Sequence, residues 1–285
     1  MVVSAAACMA LPPFLTGCSN EAEAIAAGKV LGKKLTPVDI QKLKITIVYD
    51  NNRFKKELKT DWGFSCLIEG LDQTILFDTG RYDTILMANL NALDIDPKKI
   101  DLVFLSHEHP DHIGGLEKIL ASTSRIDILM AQSFLSGIGK EAKTRGSKEV
   151  RVNQPVMVTK SGLSSGEMKS FVKNEQALFI DTTGGVIVIT GCAHPGIVDI
   201  IERSQKLLQK DILLVLGGFH LLQDHAGSIR EIASRFQEMN VRYVAPTHCS
   251  GPETRTIFKE MYGENYLDSG VGRIITARDM PGRAV

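Results

Sequence analysis

The chain has 285 residues, 44% hydrophobic and 23% charged, ordinary values for a globular protein able to bury a sizeable core. Its 33 basic and 33 acidic residues cancel, and no Lys/Arg run is available for a phosphate backbone, so a nucleic-acid partner is disfavoured. No stretch reaches the roughly 20 apolar residues that a spanning helix needs; the 5 cysteines form neither a C-x-x-C pair nor a disulfide ladder.

Residues 2–15 are mostly small and apolar, and Thr16-Gly17-Cys18 follows before an acidic stretch. Such a run reads as an export signal. Leu15-Thr16-Gly17-Cys18 resembles the bacterial lipobox, which implies cleavage before Cys18 and acyl chains upon it. Residues 1–17 are then a lipoprotein signal, 18–42 a linker and 43–285 the folded domain. The expected location is extracytoplasmic, with membrane contact only through Cys18; without the leader it is cytoplasmic. No Lys or Arg precedes the run, so a positive n-region would have to lie upstream. Otherwise the run is a frayed extension or a short buried helix.

Residues 44–49 (KITIVY) alternate and are β-branched, as a strand requires. Asp50-Asn51-Asn52 closes it as a turn. A second strand spans 64–69, and a tight turn at 70–73 leads to a third at 74–77, which stops at Asp78-Thr79-Gly80. A helix is predicted over 82–93. Residues 101–106 form a near-continuous apolar strand, the kind covered on both faces, and histidines follow at once. A helix is predicted over 113–121.

Residues 122–185 are less legible. They offer short strands at 127–131 and 156–159 and a polar stretch at 140–149, and read as a variable part with loops over the site. Beyond it come a strand at 185–190, a helix at 197–208, a strand at 211–216, an amphipathic helix at 228–239 and a strand at 242–245. No solenoid repeat is present. Four times a strand ends where histidine chemistry begins: at 107, 194, 220 and 248. Loops at one sheet edge suit a pre-organised site.

The sharpest signal is the run SHEHPDHIGG at 106–115. It packs four potential ligands, His107, His109, Asp111 and His112, into six positions of a chain with only 7 histidines. Neutral imidazole and carboxylate suit zinc and similar divalent ions. On a loop leaving a strand, His107 and His109 can turn toward one ion, and Asp111 and His112 toward a second. Gly114-Gly115 permits a close backbone approach. A merely polar loop accounts poorly for so many copies of a scarce residue, and a structural zinc prefers cysteine-rich, closed ligation.

The H-x-H-x-D-H run after an apolar strand resembles the metallo-β-lactamase superfamily. So do Phe77-Asp78-Thr79-Gly80 upstream and Ala245-Pro246-Thr247-His248 downstream. TGCAHPG at 190–196, LGGFHL at 216–221 and PTHCSG at 246–251 look like the dihydropterin-ribofuranosyl-aminobenzene-phosphate synthase-like subgroup. The resemblance covers about residues 43–277. It implies an α/β fold, a four-layer αββα sandwich with the metal site at one edge. It also implies two divalent ions, zinc first, with manganese or iron as alternatives. His107 and His109 would hold the first ion; Asp111, His112 and His248 the second; Asp78 would support the cluster from behind.

The sequence departs from the superfamily pattern at two places. No histidine lies between His112 and His194, and the strand end that often carries Gly-Asp reads Gly191-Cys192-Ala193-His194. His194 is therefore the candidate third ligand of the first ion. Cys192 is either a bridging thiolate or a small buried hydrophobe. His220 is a ligand or a substrate contact, His225 a helix cap or surface residue, and Cys249 packing.

Two close divalent ions acidify a water between them and polarise a phosphoryl or carbonyl oxygen. A metal-bound hydroxide is the expected nucleophile, with Asp111 orienting it or taking its proton. His220 is placed to donate to the developing oxyanion or a substrate phosphate. The expectation is a hydrolase of a small molecule: a phosphoester, lactone or thioester. One alternative is a synthase-like transferase joining a pterin diphosphate to a phosphoribosyl aminobenzene, for which an exported lipoprotein is a poor place. The other is a non-catalytic metal- or ligand-binding lipoprotein.

Overall fold

The period-2 alternation of the strands sets the layers. The computed structural model describes residues 29–30, 33–123, 125–135 and 146–281. The leader and its lipobox fall outside these residues, as does most of the polar stretch at 140–149. In chain order the strands and helices are β1 (Lys29–Val30), β2 (Lys33–Lys34), β3 (Lys44–Asp50), β4 (Phe64–Glu69), β5 (Ile75–Phe77), α1 (Asp83–Ala92), β6 (Leu102–Phe104), α2 (Pro110–Ile113), α3 (Leu116–Ser122) and β7 (Asp127–Ala131). There follow β8 (Glu149–Val152), β9 (Val156–Met157), β10 (Gly162–Ser164), β11 (Leu178–Thr182), β12 (Gly185–Thr190), α4 (Ile197–Leu208), β13 (Ile212–Gly218), α5 (Ala226–Glu238), β14 (Tyr243–Thr247), α6 (Pro252–Tyr262) and β15 (Ile274–Thr276).

Among the described residues, one sheet has seven strands in the order β15-β3-β4-β5-β6-β7-β8 and another six in the order β14-β13-β12-β11-β10-β9. On β12, Ile187 and Ile189 turn one way and Val186 and Val188 the other. The isoleucines meet Ile45, Phe77 and Phe104 of the first sheet, so the two sheets pack face to face. The valines meet Ile201 of α4, Phe236 of α5 and Phe258 of α6. Across the molecule, Leu76 and Val103 of the first sheet face Leu90 of α1 and Ile119 of α3. Each fully buried aliphatic side chain contributes about 1.5–3 kcal/mol. The layers run helix, sheet, sheet, helix: the four-layer αββα sandwich expected from the motifs.

A β-bulge in β3 lies between Ile47 and Tyr49. It breaks the alternation, so Val48 and Tyr49 both join the helix-side core. The bulge also re-aims the strand end: Asp50 is fully buried and its Oδ2 accepts from Thr247 Oγ1 at 2.6 Å. The end of β3 is thereby tied to the end of β14 in the opposite sheet.

The predicted helix at 113–121 is broken in two. A Cβ on Gly114 would collide with the Arg81 carbonyl, and one on Gly115 with the Thr79 carbonyl. The close backbone approach inferred for this pair is present, and it ends α2 and starts α3. The fold also begins earlier than residue 43. Leu35 is buried in the core beside α4 and α5, Thr36 N–H donates to the Lys160 carbonyl, and Val38 bridges Thr182. The last residues of the expected linker are therefore packed, because one apolar side chain finds a place there. Among the described residues, no helix is long and apolar enough to cross a membrane.

Candidate metal centre

Parallel strands deliver the site. β5 and β6 run parallel, as do β12, β13 and β14, so their C-terminal ends can share an edge. Just past these ends, four residues that are not glycine hold positive φ: Asp78 (52°), Ala193 (64°), His220 (57°) and His248 (48°). Each such position costs about 1–3 kcal/mol and persists only where its surroundings enforce it. All four lie at the histidine-bearing turns or directly beneath them.

Two trios of donors form there. His107, His109 and His194 place one ring nitrogen each within 4.8 Å of the others, and Asp111, His112 and His248 do the same with a carboxylate oxygen and two ring nitrogens. In the first trio, His107 Nε2 is 3.1 Å from His109 Nδ1. In the second, His112 Nε2 is 3.2 Å from His248 Nε2, and Asp111 Oδ2 is 3.4 Å from His248 Nε2. These are the two groupings inferred from the motifs, His194 included. Cys192, buried, sends Sγ to 3.2 Å from His112 Nε2 and also groups with His107, so it stands between the trios rather than in the apolar core. Its thiol faces donors, as the bridging alternative requires.

The opposite nitrogens of the rings are held by side chains behind them. Asp78 Oδ2 is 2.6 Å from His112 Nδ1, while its two oxygens also accept from the Ser106 amide and hydroxyl, both at 2.7 Å. Ser106 Oγ lies 2.9 Å from His107 Nδ1. Glu175 Oε2 is 2.9 Å from His194 Nδ1, and its carboxylate accepts from the amides of Gly191, Cys192, Ala193 and His194 at 2.9–3.0 Å. Asn51 Oδ1 is 2.8 Å from His248 Nδ1. Partners of this kind fix the tautomer and orientation of a ligating ring.

Asp78 was anticipated in this role; Glu175 and Asn51 were not. Glu175 sits in the segment that carried no readable pattern. Asn51 read as a turn residue, and only the bulge in β3 reveals why it reaches across.

The electrostatics fit a cation. Burial first, and then the charges of the neighbouring imidazoles, push His107 well below the ordinary histidine value; burial and His194 lower His109 as well. Both are thus neutral near pH 7, as ligands must be. For His112, burial opposes the charge, but Asp78, Asp111 and Glu175 outweigh it and raise the ring to about 9. Burial would raise Asp111 too; the His248 hydrogen bond and the His112 and His248 charges hold it well below the usual carboxylate range. Ring nitrogens 3.1–3.2 Å from one another, with buried carboxylates behind His112 and His194, are a donor set that a divalent ion satisfies once the proton on His112 is shed.

The rim carries the remaining candidates. The exposed His220 ring lies tilted beside His194 with centroids 4.6 Å apart, and the Cys249 sulfur beside it raises its pKa. His225 is remote in role: its Nδ1 accepts from the Ser228 amide at the start of α5, the helix cap expected of it. Cys249 does more than pack, since its sulfur falls among donors of Cys192 and His220. Trp62, on the loop before β4, is 38% exposed and lies 4.9 Å from the His248 ring. The segment over the site is tied down by Lys173 Nζ to Glu108 Oε2 at 3.3 Å and by Ser170 Oγ to the His194 carbonyl at 2.9 Å.

Residues 63–195 match a family model described as the metallo-beta-lactamase superfamily. A Methanocaldococcus jannaschii protein named 7,8-dihydropterin-6-methyl-4-(beta-D-ribofuranosyl)-aminobenzene-5'-phosphate synthase is 25% identical over 83% of this chain and 97% of its own. A second protein of that organism, MJ0448, is 30% identical over 81% of this chain and 99% of its own. The crystal structure of Tm1679, described as a metal-dependent hydrolase of the beta-lactamase superfamily, superposes with a TM-score of 0.68 at 26% identity, covering 82% of this chain and 98% of that one. Donor-bearing turns on one edge of an αββα sandwich and likeness along nearly the whole of these relatives agree: the chain belongs to the metallo-beta-lactamase superfamily.

Proposed function

We propose that the protein is a hydrolase that uses two divalent cations, zinc first among the candidates, on a small phosphoester, lactone or thioester. The observation that carries this reading is the pair of donor trios on one edge, with the Cys192 sulfur between them. The likeness to Tm1679 supports it. His107, His109 and His194 would hold one ion, and Asp111, His112 and His248 the other. Bound there, divalent ions supply Lewis-acid polarisation and make water easier to deprotonate near neutral pH.

The chain's own groups supply the rest. The Asp111 carboxylate, ionised throughout the physiological range, offers an acceptor that orients the attacking water. Asp78, Glu175 and Asn51 keep three rings in the orientation binding needs. His220, exposed on the rim, is placed to donate a ring N–H to a substrate anion. Trp62 offers an apolar wall over His248. We further place the protein outside the cytoplasm, tethered through acylated Cys18, with no nucleic-acid partner.

The test is hydrolysis of chromogenic phosphodiester and lactone substrates against bound cation. Rate should rise in step with cation content, and His109→Ala and His112→Ala should lose both. Tight cation binding without turnover on any substrate would make the protein a binder instead. A second reading, a synthase-like transferase, is favoured by the 25% identity along 97% of the named synthase. Joining of a dihydropterin diphosphate to a ribofuranosylaminobenzene phosphate, faster than any hydrolysis, would replace the first reading with this one.

A further inference from the structure

The two trios leave His220 and Cys249 without a part in cation binding, yet both sit with Cys192 in a cluster of their own. The two sulfurs and a ring nitrogen of His220 all lie within 4.8 Å of one another. The fold brings them together by a repeated offset. β12, β13 and β14 are adjacent and parallel, with Thr190 paired to Gly217 and Gly218 to Thr247. Cys192 is two residues past Thr190, His220 two past Gly218, and Cys249 two past Thr247, the last residues of the three strands. Three neighbouring strand ends thus each present one donor, within about one residue of a common level.

The backbone is adapted to this convergence. A Cβ on Gly218 would lie 2.6 Å from the Cys249 sulfur, so a side chain there would push the thiol out of place. His220 is held at a φ of 57°, a conformation its own side chain disfavours. Cys249 Sγ lies 3.5 Å from the Cys192 carbonyl, which keeps it turned toward its partner. Both cysteines are buried and free, whereas His220 is exposed, so the cluster opens outward on the imidazole side.

We propose that Cys192, His220 and Cys249 form a third cation site, one for a thiophilic ion such as Zn(II), beside the two trios. Two thiolates and one imidazole with an open position is a donor set that zinc accepts in catalytic sites. Soft sulfur ligation separates it from the nitrogen and oxygen donors of the neighbouring trios. Cys192 stands at the junction, and a thiolate carries lone pairs enough to serve both sides. The site goes beyond the proposed hydrolysis and would stand if that activity proved to be another.

The experiment is metal counting on the full-length protein, reloaded with Zn(II) or Co(II) and freed of excess ion. His220→Gln, on the exposed rim, and Cys249→Ser should each bind one equivalent fewer than the wild type. In the cobalt form, the thiolate-to-metal charge-transfer absorption should weaken in Cys249→Ser. His109→Ala should lose a different equivalent and keep that absorption, so failure of the histidine trios and failure of this site read differently. Unchanged metal content and absorption in His220→Gln would overturn the proposal, as would a Cys192–Cys249 disulfide found by mass spectrometry. Should Cys249→Ser not fold, His220→Gln alone decides.

Discussion

Four successive amides, of residues 191–194, point at the Glu175 carboxylate, which also accepts from His194. A carboxylate with two oxygens can take all five donors; an amide has one oxygen and cannot. Glu175→Gln should therefore weaken cation binding about 10–100-fold, read by competition with a chromophoric chelator. Unchanged affinity would mean that His194 is not a ligand.

The pH behaviour of the trios should differ as well. The second trio must shed the proton that carboxylates hold on His112 up to about 9, so its affinity should fall as pH drops below that value, by up to about tenfold per unit. His107 and His109, both held below the ordinary histidine value, should leave the first trio less sensitive to acid than the second. Stepwise titrations between pH 6 and 9 check this; both sites weakening in parallel counts against it. Histidines announced themselves in the sequence because they are scarce and clustered. Glu175 did not, because one acidic residue gains meaning only from the chain path around it.

At the level of elements, the strands that frame the site were legible where alternation or an unbroken apolar run was long enough, as in β3, β4, β12 and β13. β9 falls within the short strand expected at 156–159, but β10 spans three residues, too short to show a period, and β11 hid in the same stretch despite its apolar LFI. α6 had a usable signal that was overlooked: Gly251 followed by Pro252 at the first helical position. The turn after β12 is tightly packed against the site. A Cβ on Gly191 would run into Ser106 Oγ and lie 3.1 Å from Asp78 Oδ2. Gly191→Ala should therefore destabilise the fold by about 1–3 kcal/mol and weaken cation binding together, measured by urea unfolding and cation titration. Ile189→Ala, deep between the sheets, should cost about 2–5 kcal/mol yet leave the folded fraction's affinity intact. If Gly191→Ala binds normally, the buttress behind His107 and His112 is more yielding than its contacts indicate.

For the molecule as a whole, each trio draws on both sheets. His107 and His109 follow β6, while His194 follows β12; Asp111 and His112 face His248 from β14. Cations at these points would pin two sheets along one edge and so link folding to binding. An ion at about a hundred times its dissociation constant stabilises the native state by about 2.7 kcal/mol. Calorimetry should show a lower melting temperature after chelation, restored on adding Zn(II). A melting temperature indifferent to chelation would mean no ion spans the sheets.

Trp62 turns the centre into its own optical gauge. It is the sole indole of the sequence and lies against the His248 ring. Light emitted by the purified protein at the indole wavelength therefore comes from one address, the doorway of the centre. Its intensity should change when His248 gives up its free nitrogen, so arrival and departure of an ion can be timed in a stopped-flow instrument without any added dye.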